Sequence, residues 1–393
     1  MATILAILAA GHSGPDGGRE PRVDSREGSC LRQVRHLAPA YGGSVRKLVL
    51  GMLALLLLAA CSSTAGVDSN APMLVKPPPL GGKVRIEAHG LNVPWAAGGL
   101  REDDSGEIYE YKGDWPTVPV ASLRVWDSRT AWLDLEPKQG EWNFSHLDAI
   151  VDKAEANGVS DILLVLAGTP PWAASRALGT DAFWMGAGSA SMPTSLDVWR
   201  EYVSKVAQRY AGRISAYEVG NEPNLLTFWN GTPDQYQTLV TSAASAIREA
   251  DPSAMILVSG GLVRGAADVP RLAAWLAPLR PLVAANGIDG IALHYYPKAR
   301  SLRTTPTVLQ SLVRQLHSLG MDRLPRWITE INVTDGASMR SSDQAKAVDD
   351  LVTQTQIAGF ERLYWYAWTD ISSGTMIRFQ PETEGEHALA DLD

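Results

Sequence analysis

Ile214-Ser215-Ala216-Tyr217-Glu218-Val219-Gly220-Asn221-Glu222-Pro223-Asn224 is a short, largely apolar run that breaks off in a glycine, a carboxylate and a proline. So short a run, bounded by breakers, reads as a buried strand. Pro223 ends any ladder and biases the residue before it to an extended backbone, so Glu222 is expected at the C-terminal end of that strand. Seven other runs share the form: Lys83 to His89, Ala121 to Trp126, Asp161 to Ala167, Ala254 to Ser259, Ile288 to His294, Arg326 to Ile331 and Arg362 to Ala367. Helical periodicity fills the intervals, at His146 to Asn157, Leu196 to Tyr210, Pro233 to Ala250, Val269 to Ala285, Pro306 to Leu319 and Ser342 to Gly359. Asn157-Gly158, Asp251-Pro252 and Asn286-Gly287 stop helices just ahead of the next strand. Strand and helix in alternation, eight times over, predict an α/β fold, a (β/α)8 TIM barrel forming a single domain over 82–393. An open doubly wound sheet is the alternative, and the lack of a glycine-rich phosphate turn after the first strand counts against it. Residues 371–393 leave room for a short last helix or none.

The chain has 393 residues, 45% hydrophobic and 20% charged, enough for one large buried core. Its formal net charge of -8, with no Lys/Arg-rich run, argues against a nucleic-acid partner, which requires a basic face. Trp 13 outnumbers Phe 5. Phe supplies apolar volume without an N–H to satisfy, so the excess of indoles suggests a use for their faces.

Before the barrel, Arg46 and Lys47 precede an uncharged stretch, Leu48 to Ala60, that is shorter than a membrane-spanning helix and has the form of an export signal. Leu58-Ala59-Ala60-Cys61 resembles the bacterial lipobox, which implies cleavage before Cys61 and lipid on its thiol; an uncleaved anchor is the other reading. Residues 1–44 are aperiodic and read as an upstream extension, with translation expected to start near Val45. Residues 45–60 are the signal and 61–81, with Pro77-Pro78-Pro79, a flexible tether. The expected location is the bacterial cell envelope, outside the cytoplasm, with a lipid anchor as the sole membrane contact. Cys30 would leave with the leader, so no thiol remains for a disulfide or a zinc site.

Chemistry in such a barrel belongs to the C-terminal ends of the strands. Glu222 closes the fourth run, and Trp327-Ile328-Thr329-Glu330-Ile331-Asn332 closes the seventh. Two rim glutamates facing each other are what glycoside cleavage needs, one protonated to serve the leaving oxygen and one ionised to attack the anomeric carbon. Gly11-His12-Ser13-Gly14-Pro15 falls short of a nucleophile elbow, and the seven His are scattered with no His-x-His pair, so neither a serine hydrolase nor a metal or other cofactor is indicated.

Tyr217-Glu218-Val219-Gly220-Asn221-Glu222-Pro223-Asn224 resembles the acid/base motif of glycoside hydrolase clan A, the retaining (β/α)8-barrel glycosidases, and Ile328-Thr329-Glu330 its nucleophile strand. Pro137 to Phe144 with Leu147-Asp148, and Gly168-Thr169-Pro170-Pro171-Trp172-Ala173, are similar to its second and third strand segments, family 39 being nearest and family 5 next. The resemblance implies hydrolysis of O-glycosidic bonds in an oligo- or polysaccharide, with Glu222 as acid/base, Glu330 as nucleophile and Asn221 on the substrate 2-hydroxyl. It further points to Arg124 beside Glu330, either sustaining its charge or pairing with Glu218 inside the barrel, and to His294 with Tyr296 at the end of the sixth strand. Trp172, Trp365 and Trp368 are candidates for stacking on sugar faces, with Trp368 preferred over Trp365, and Glu218 is read as structural. Retention requires carboxyls roughly 5 to 5.5 Å apart, whereas inversion needs about 6.5 to 9.5 Å. A lipid-anchored, non-catalytic carbohydrate-binding barrel is the competing reading.

Overall fold

The computed structural model describes residues 89–92, 99–102, 108–111, 115–116, 120–126, 128–176, 185–285, 287–367 and 376–377. All of these fall in the compact unit Gly82–Asp393. The leader, the export segment, Cys61, the tether, Trp368 and the stretch that would carry a last helix lie outside the described residues.

Eight parallel strands close on themselves: β1 (His89–Asn92), β4 (Ser122–Val125), β5 (Ile162–Leu166), β6 (Ala216–Val219), β7 (Met255–Val263), β8 (Gly290–Tyr295), β9 (Arg326–Ile331) and β10 (Arg362–Tyr366). β1 completes the ring by pairing with both β4 and β10. A two-stranded antiparallel hairpin, β2 (Gly99–Glu102) and β3 (Ile108–Tyr111), follows β1 and was not legible in the apolar pattern. The first strand runs later than expected, through Asn92, because its partners are Leu363 to Tyr366 and Ser122 to Arg124.

The helices are α1 (Trp132–Leu135), α2 (Ser145–Ala156), α3 (Leu196–Arg209), α4 (Pro233–Ala250), α5 (Val269–Leu276), α6 (Arg280–Ala284), α7 (Thr305–Ser318) and α8 (Ser341–Ile357). Local chemistry sets their ends. Ser195 accepts the Asp197 N–H at 3.0 Å to start α3, and Thr232 and Gln235 form a reciprocal cap around Pro233 at the start of α4. The single helix expected over Val269 to Ala285 is instead α5, a 3-10 turn and α6. Pro278 and Pro281 lack the N–H groups a continuous helix would bond.

Strand alternation divides the core into two layers. Leu163, Ala216, Leu257, Ala292, Trp327 and Tyr364 form one buried cluster, one residue from each of six strands. Their neighbours in sequence, among them Leu164, Tyr217, Ile256, Ile291, Ile328 and Trp365, belong to the larger cluster shared with the helices. Trp365 therefore faces the helix layer, fully buried, and is corrected from a candidate sugar platform to core filler.

Two irregularities in this alternation shape the site. Between β8 and β9 the register passes from Leu293↔Ile328 to His294↔Glu330, so β9 carries one extra residue. Strict alternation from Trp327 would turn Glu330 outward; the bulge lets both Thr329 and Glu330 reach the barrel interior, where each bonds an interior side chain. β7 also gains a residue, between Ser259 and Leu262, with Gly261 at φ +98. A Cβ on Gly261 would lie 2.3 Å from Asn224 Oδ1, so glycine is required for that close approach.

Candidate active site

Glu222 is held by a turn rather than by an extended strand. Gly220 (φ +80) takes the chain out of β6, and Glu222 itself sits at φ 40, which corrects the extended backbone expected before Pro223. Proline disfavours the right-handed helical region for its predecessor, and here the chain resolves that restriction in the left-handed region. A non-glycine residue held there costs on the order of 1 to 3 kcal/mol, a strain characteristic of functional sites. The turn is over-determined: Glu222 N–H donates to Ser259 Oγ at 3.2 Å, while Asn224 accepts from Leu262 N–H at 2.9 Å and donates to its carbonyl at 3.0 Å. The bulge of β7 thus clamps the loop that carries Glu222.

Arg124, from β4, lies beneath the site and binds three groups. Its Nη1 donates to Glu330 Oε1 at 2.6 Å, its Nε to Glu218 Oε2 at 2.9 Å and its Nη2 to Asn221 Oδ1 at 3.1 Å. Both readings of Arg124 from sequence describe the one side chain, because its fork serves the rim and the interior glutamate together. Asn221, with its oxygen engaged, keeps its NH2 to donate. Tyr296 Oη–H donates to Glu330 Oε2 at 2.7 Å, while Tyr295 points away to Thr305. His294 Nδ1 lies 2.9 Å from Glu222 Oε1 and 3.3 Å from Glu330 Oε2. Glu222 and Glu330 are 6% and 5% exposed, so the pair is reachable yet nearly dry.

An oxygen of Glu222, a nitrogen of His294 and an oxygen of Glu330 all lie within 4.8 Å of one another. Three such atoms are near enough to share one cation, but Arg124 and Tyr296 already occupy Glu330, and His294 bridges both carboxylates. The arrangement is that of two buried carboxylates sharing one imidazole. Burial holds the Glu330 carboxyl above the usual carboxylate range, against the downward pull of His294 and Arg124. With donors at 2.6 and 2.7 Å on its two oxygens, Glu330 is the member of the pair that geometry equips to carry the charge.

Of the aromatic candidates, Trp172 is half-buried, donates its Nε1–H to the Glu136 carbonyl at 2.9 Å and sets its ring edge-on to Trp132. Trp132, Trp199 and Tyr202 continue that packing, and the indole N–H groups of Trp132 and Trp199 find Glu136 Oε2 and the Leu239 carbonyl. Much of the tryptophan excess therefore builds core. The sequence reading passed over Tyr366, which ends β10 half-buried with its ring 6.4 Å from that of Tyr296. Parity with Tyr364, an interior residue, was the signal that could have found it. It also passed over Trp126 and Phe228, packed edge-on at 6.0 Å beyond the ends of β4 and β6.

The sequence profile of glycosyl hydrolases family 39 matches residues 126–335, more than half of the chain. A β-xylosidase of Caldicellulosiruptor saccharolyticus is 26% identical over 199 residues, covering 48% of this chain and 38% of the relative, and one of Geobacillus stearothermophilus is 27% identical over 135 residues, covering 32% and 26%. The alignments thus span well under two thirds of the relatives' own lengths. In fold, the chain is similar to a monomeric β-xylosidase from Caulobacter crescentus CB15 (TM-score 0.55, 18% identity, 70% of this chain and 61% of that one). It is also similar to a family 39 glycoside hydrolase from Bacteroides cellulosilyticus WH2 (TM-score 0.53, 17% identity, 70% and 58%).

Proposed function

The chain belongs to glycosyl hydrolase family 39, and from that membership we propose that it hydrolyses O-glycosidic bonds of an oligo- or polysaccharide with retention of configuration. The observation that carries the proposal is the pair Glu222 and Glu330, one oxygen of each within 4.8 Å of the other, near enough for both to reach one glycosidic bond. Their partners differ in the sense the mechanism requires. Glu330, held by Arg124 and Tyr296, attacks the anomeric carbon. Glu222 gives its proton to the departing oxygen, so that the C–O bond breaks as the Glu330 ester forms. Water then attacks that ester, Glu222 takes the water's proton, and Glu330 leaves as the carboxylate it began as. Asn221 is positioned to donate to the sugar's 2-hydroxyl.

The relatives' names make aryl β-xylosides the first substrates to try. Wild-type protein should release the aryl group from one member of an aryl β-glycoside panel, and proton NMR of the first sugar formed should show the β-anomer. Tight oligosaccharide binding with no turnover on any member would sink the proposal in favour of a binding barrel. We place the enzyme in the cell envelope through a lipid on Cys61, supported by the export signal ahead of it. Cys61→Ser should move the protein to a soluble fraction; retention in the membrane would mean an uncleaved anchor.

A further inference from the structure

Glu218 is a third carboxylate, fully buried under the other two, to which the two-glutamate mechanism gives no part. Its surroundings pose a question of charge. Arg124 Nη2 and His294 Nε2 approach to 3.4 Å. Arginine is always charged and only donates. Either the imidazole is neutral and its bare Nε2 accepts from Arg124, or it is charged and two N–H groups face each other at close range. The second arrangement stands only if one anion serves both, and Glu218 is placed to do so: its Oε2 is 2.9 Å from Arg124 Nε and its Oε1 is 3.7 Å from His294 Nε2.

We propose that Glu218 is a positioning residue whose charge keeps His294 in its doubly protonated form, so that the two side chains act as one dipole with its positive end between the catalytic carboxylates. This rests on the glycosidase reading only for its effect on turnover. The charge count closes. With Glu222 protonated for its first task, the anions Glu218 and Glu330 balance the cations Arg124 and His294, and a buried cluster without net charge is the one that burial tolerates. Burial opposes a charged imidazole, but Glu330, Glu218 and Glu222 together outweigh it and push the ring up to about 9. Burial likewise works against the Glu218 anion, and Arg124 and His294 hold it below the usual carboxylate range.

The groups facing His294 among the described residues are Arg124 from β4, Glu218 from β6, Glu222 after it and Glu330 from β9. Around Glu218 stand Arg124, His294, the Thr329 hydroxyl at 3.5 Å and, through its field, Tyr236 from α4, whose hydroxyl is bound to the Val219 and Ser259 carbonyls. In Glu218→Gln, two cations would be left with one anion, and of the two only the imidazole can release its proton.

The direction of the pH response identifies the mechanism. Losing the dipole removes a positive charge 2.9 Å from Glu222 and 3.3 Å from Glu330, and the negative charge lost with it stands behind the imidazole. Both carboxylates then hold their protons more tightly. The acid and alkaline limbs of the kcat/KM profile of Glu218→Gln should both move to higher pH, by about one unit, as expected for loss of a charge at this range. Limbs that stay in place with a uniformly lower rate would mean a merely structural role, and limbs that move to lower pH would mean that His294 stays charged without Glu218. Either result overturns the proposal.

A second measurement does not depend on turnover or on the folding of Glu218→Gln. In wild-type protein labelled with ¹⁵N-histidine, the ring signals of His294, identified by their absence in His294→Asn, should be those of an imidazolium at pH 7 and remain so through pH 8. A neutral ring at pH 7 overturns the proposal even if the enzyme proves to be a glycosidase, and an imidazolium in a protein without turnover upholds it while the glycosidase reading fails.

Discussion

Glu330→Gln should lower kcat on an activated aryl glycoside on the order of 10⁴-fold or more, because the amide cannot form the glycosyl ester on which the two-step route depends. At about 1.4 kcal/mol for each tenfold, that is a loss of roughly 5.5 kcal/mol of transition-state stabilisation. A fold-level collapse is not the expected cause. Glutamine keeps the shape of the side chain and one oxygen to accept from Arg124 or Tyr296, which now donate to Glu330 at 2.6 and 2.7 Å. Its NH2 must face the other donor, so some destabilisation is expected, and a melting curve measures it separately from chemistry. The decisive readout is covalent. Wild-type protein treated with a slow 2-deoxy-2-fluoro glycoside should gain the mass of one sugar on the peptide containing Glu330, and Glu330→Gln should gain none. An adduct on any other residue would remove Glu330 from the role.

The barrel was legible because its strands after the first are short buried runs with breakers beyond them, and burial on both faces writes itself into composition. Helix starts at Leu196 and Pro233 were legible from periodicity, and the structure adds the caps at Ser195 and Thr232 that fix them. What escaped was register. Nothing in Arg326 to Ile331 announces the extra residue that turns Glu330 inward, since a bulge is set by pairing with strands distant in sequence. The same limit misdirected the choice of aromatics on the eighth strand: counting by composition nominated Trp365, while the pleat turned Trp365 outward and left Tyr366 beside Tyr296. Glu218 was read as structural, but its link to His294 joins β6 to β8, and no local pattern encodes a contact across the barrel.

Glu222→Ala should separate the two steps that Glu330→Gln abolishes together. With an activated leaving group such as dinitrophenolate, protonation of the departing oxygen is nearly unnecessary, so Glu330 should still attack and the glycosyl ester should still form. Hydrolysis of that ester needs a base for water, and the base is gone. A burst of one phenolate per enzyme should precede a slow steady state, lowered by a factor in the range of about 10² to 10⁴ expected for loss of a general acid/base. Substrates with poor leaving groups should suffer in the first step as well. Removing the carboxylate also opens space beside the anomeric carbon and leaves His294 Nδ1 without its 2.9 Å partner, which favours the entry of a small anion. Azide needs no deprotonation to attack. It should restore the steady state and give the β-glycosyl azide, the configuration of two successive inversions. In Glu330→Ala the same anion can replace only the nucleophile, so any azide product there should be the α-anomer, from one inversion. Azide rescue of both variants with the same anomer, or a Glu222→Ala enzyme whose steady-state rate matches wild type, would show that the roles have been assigned to the wrong carboxylates.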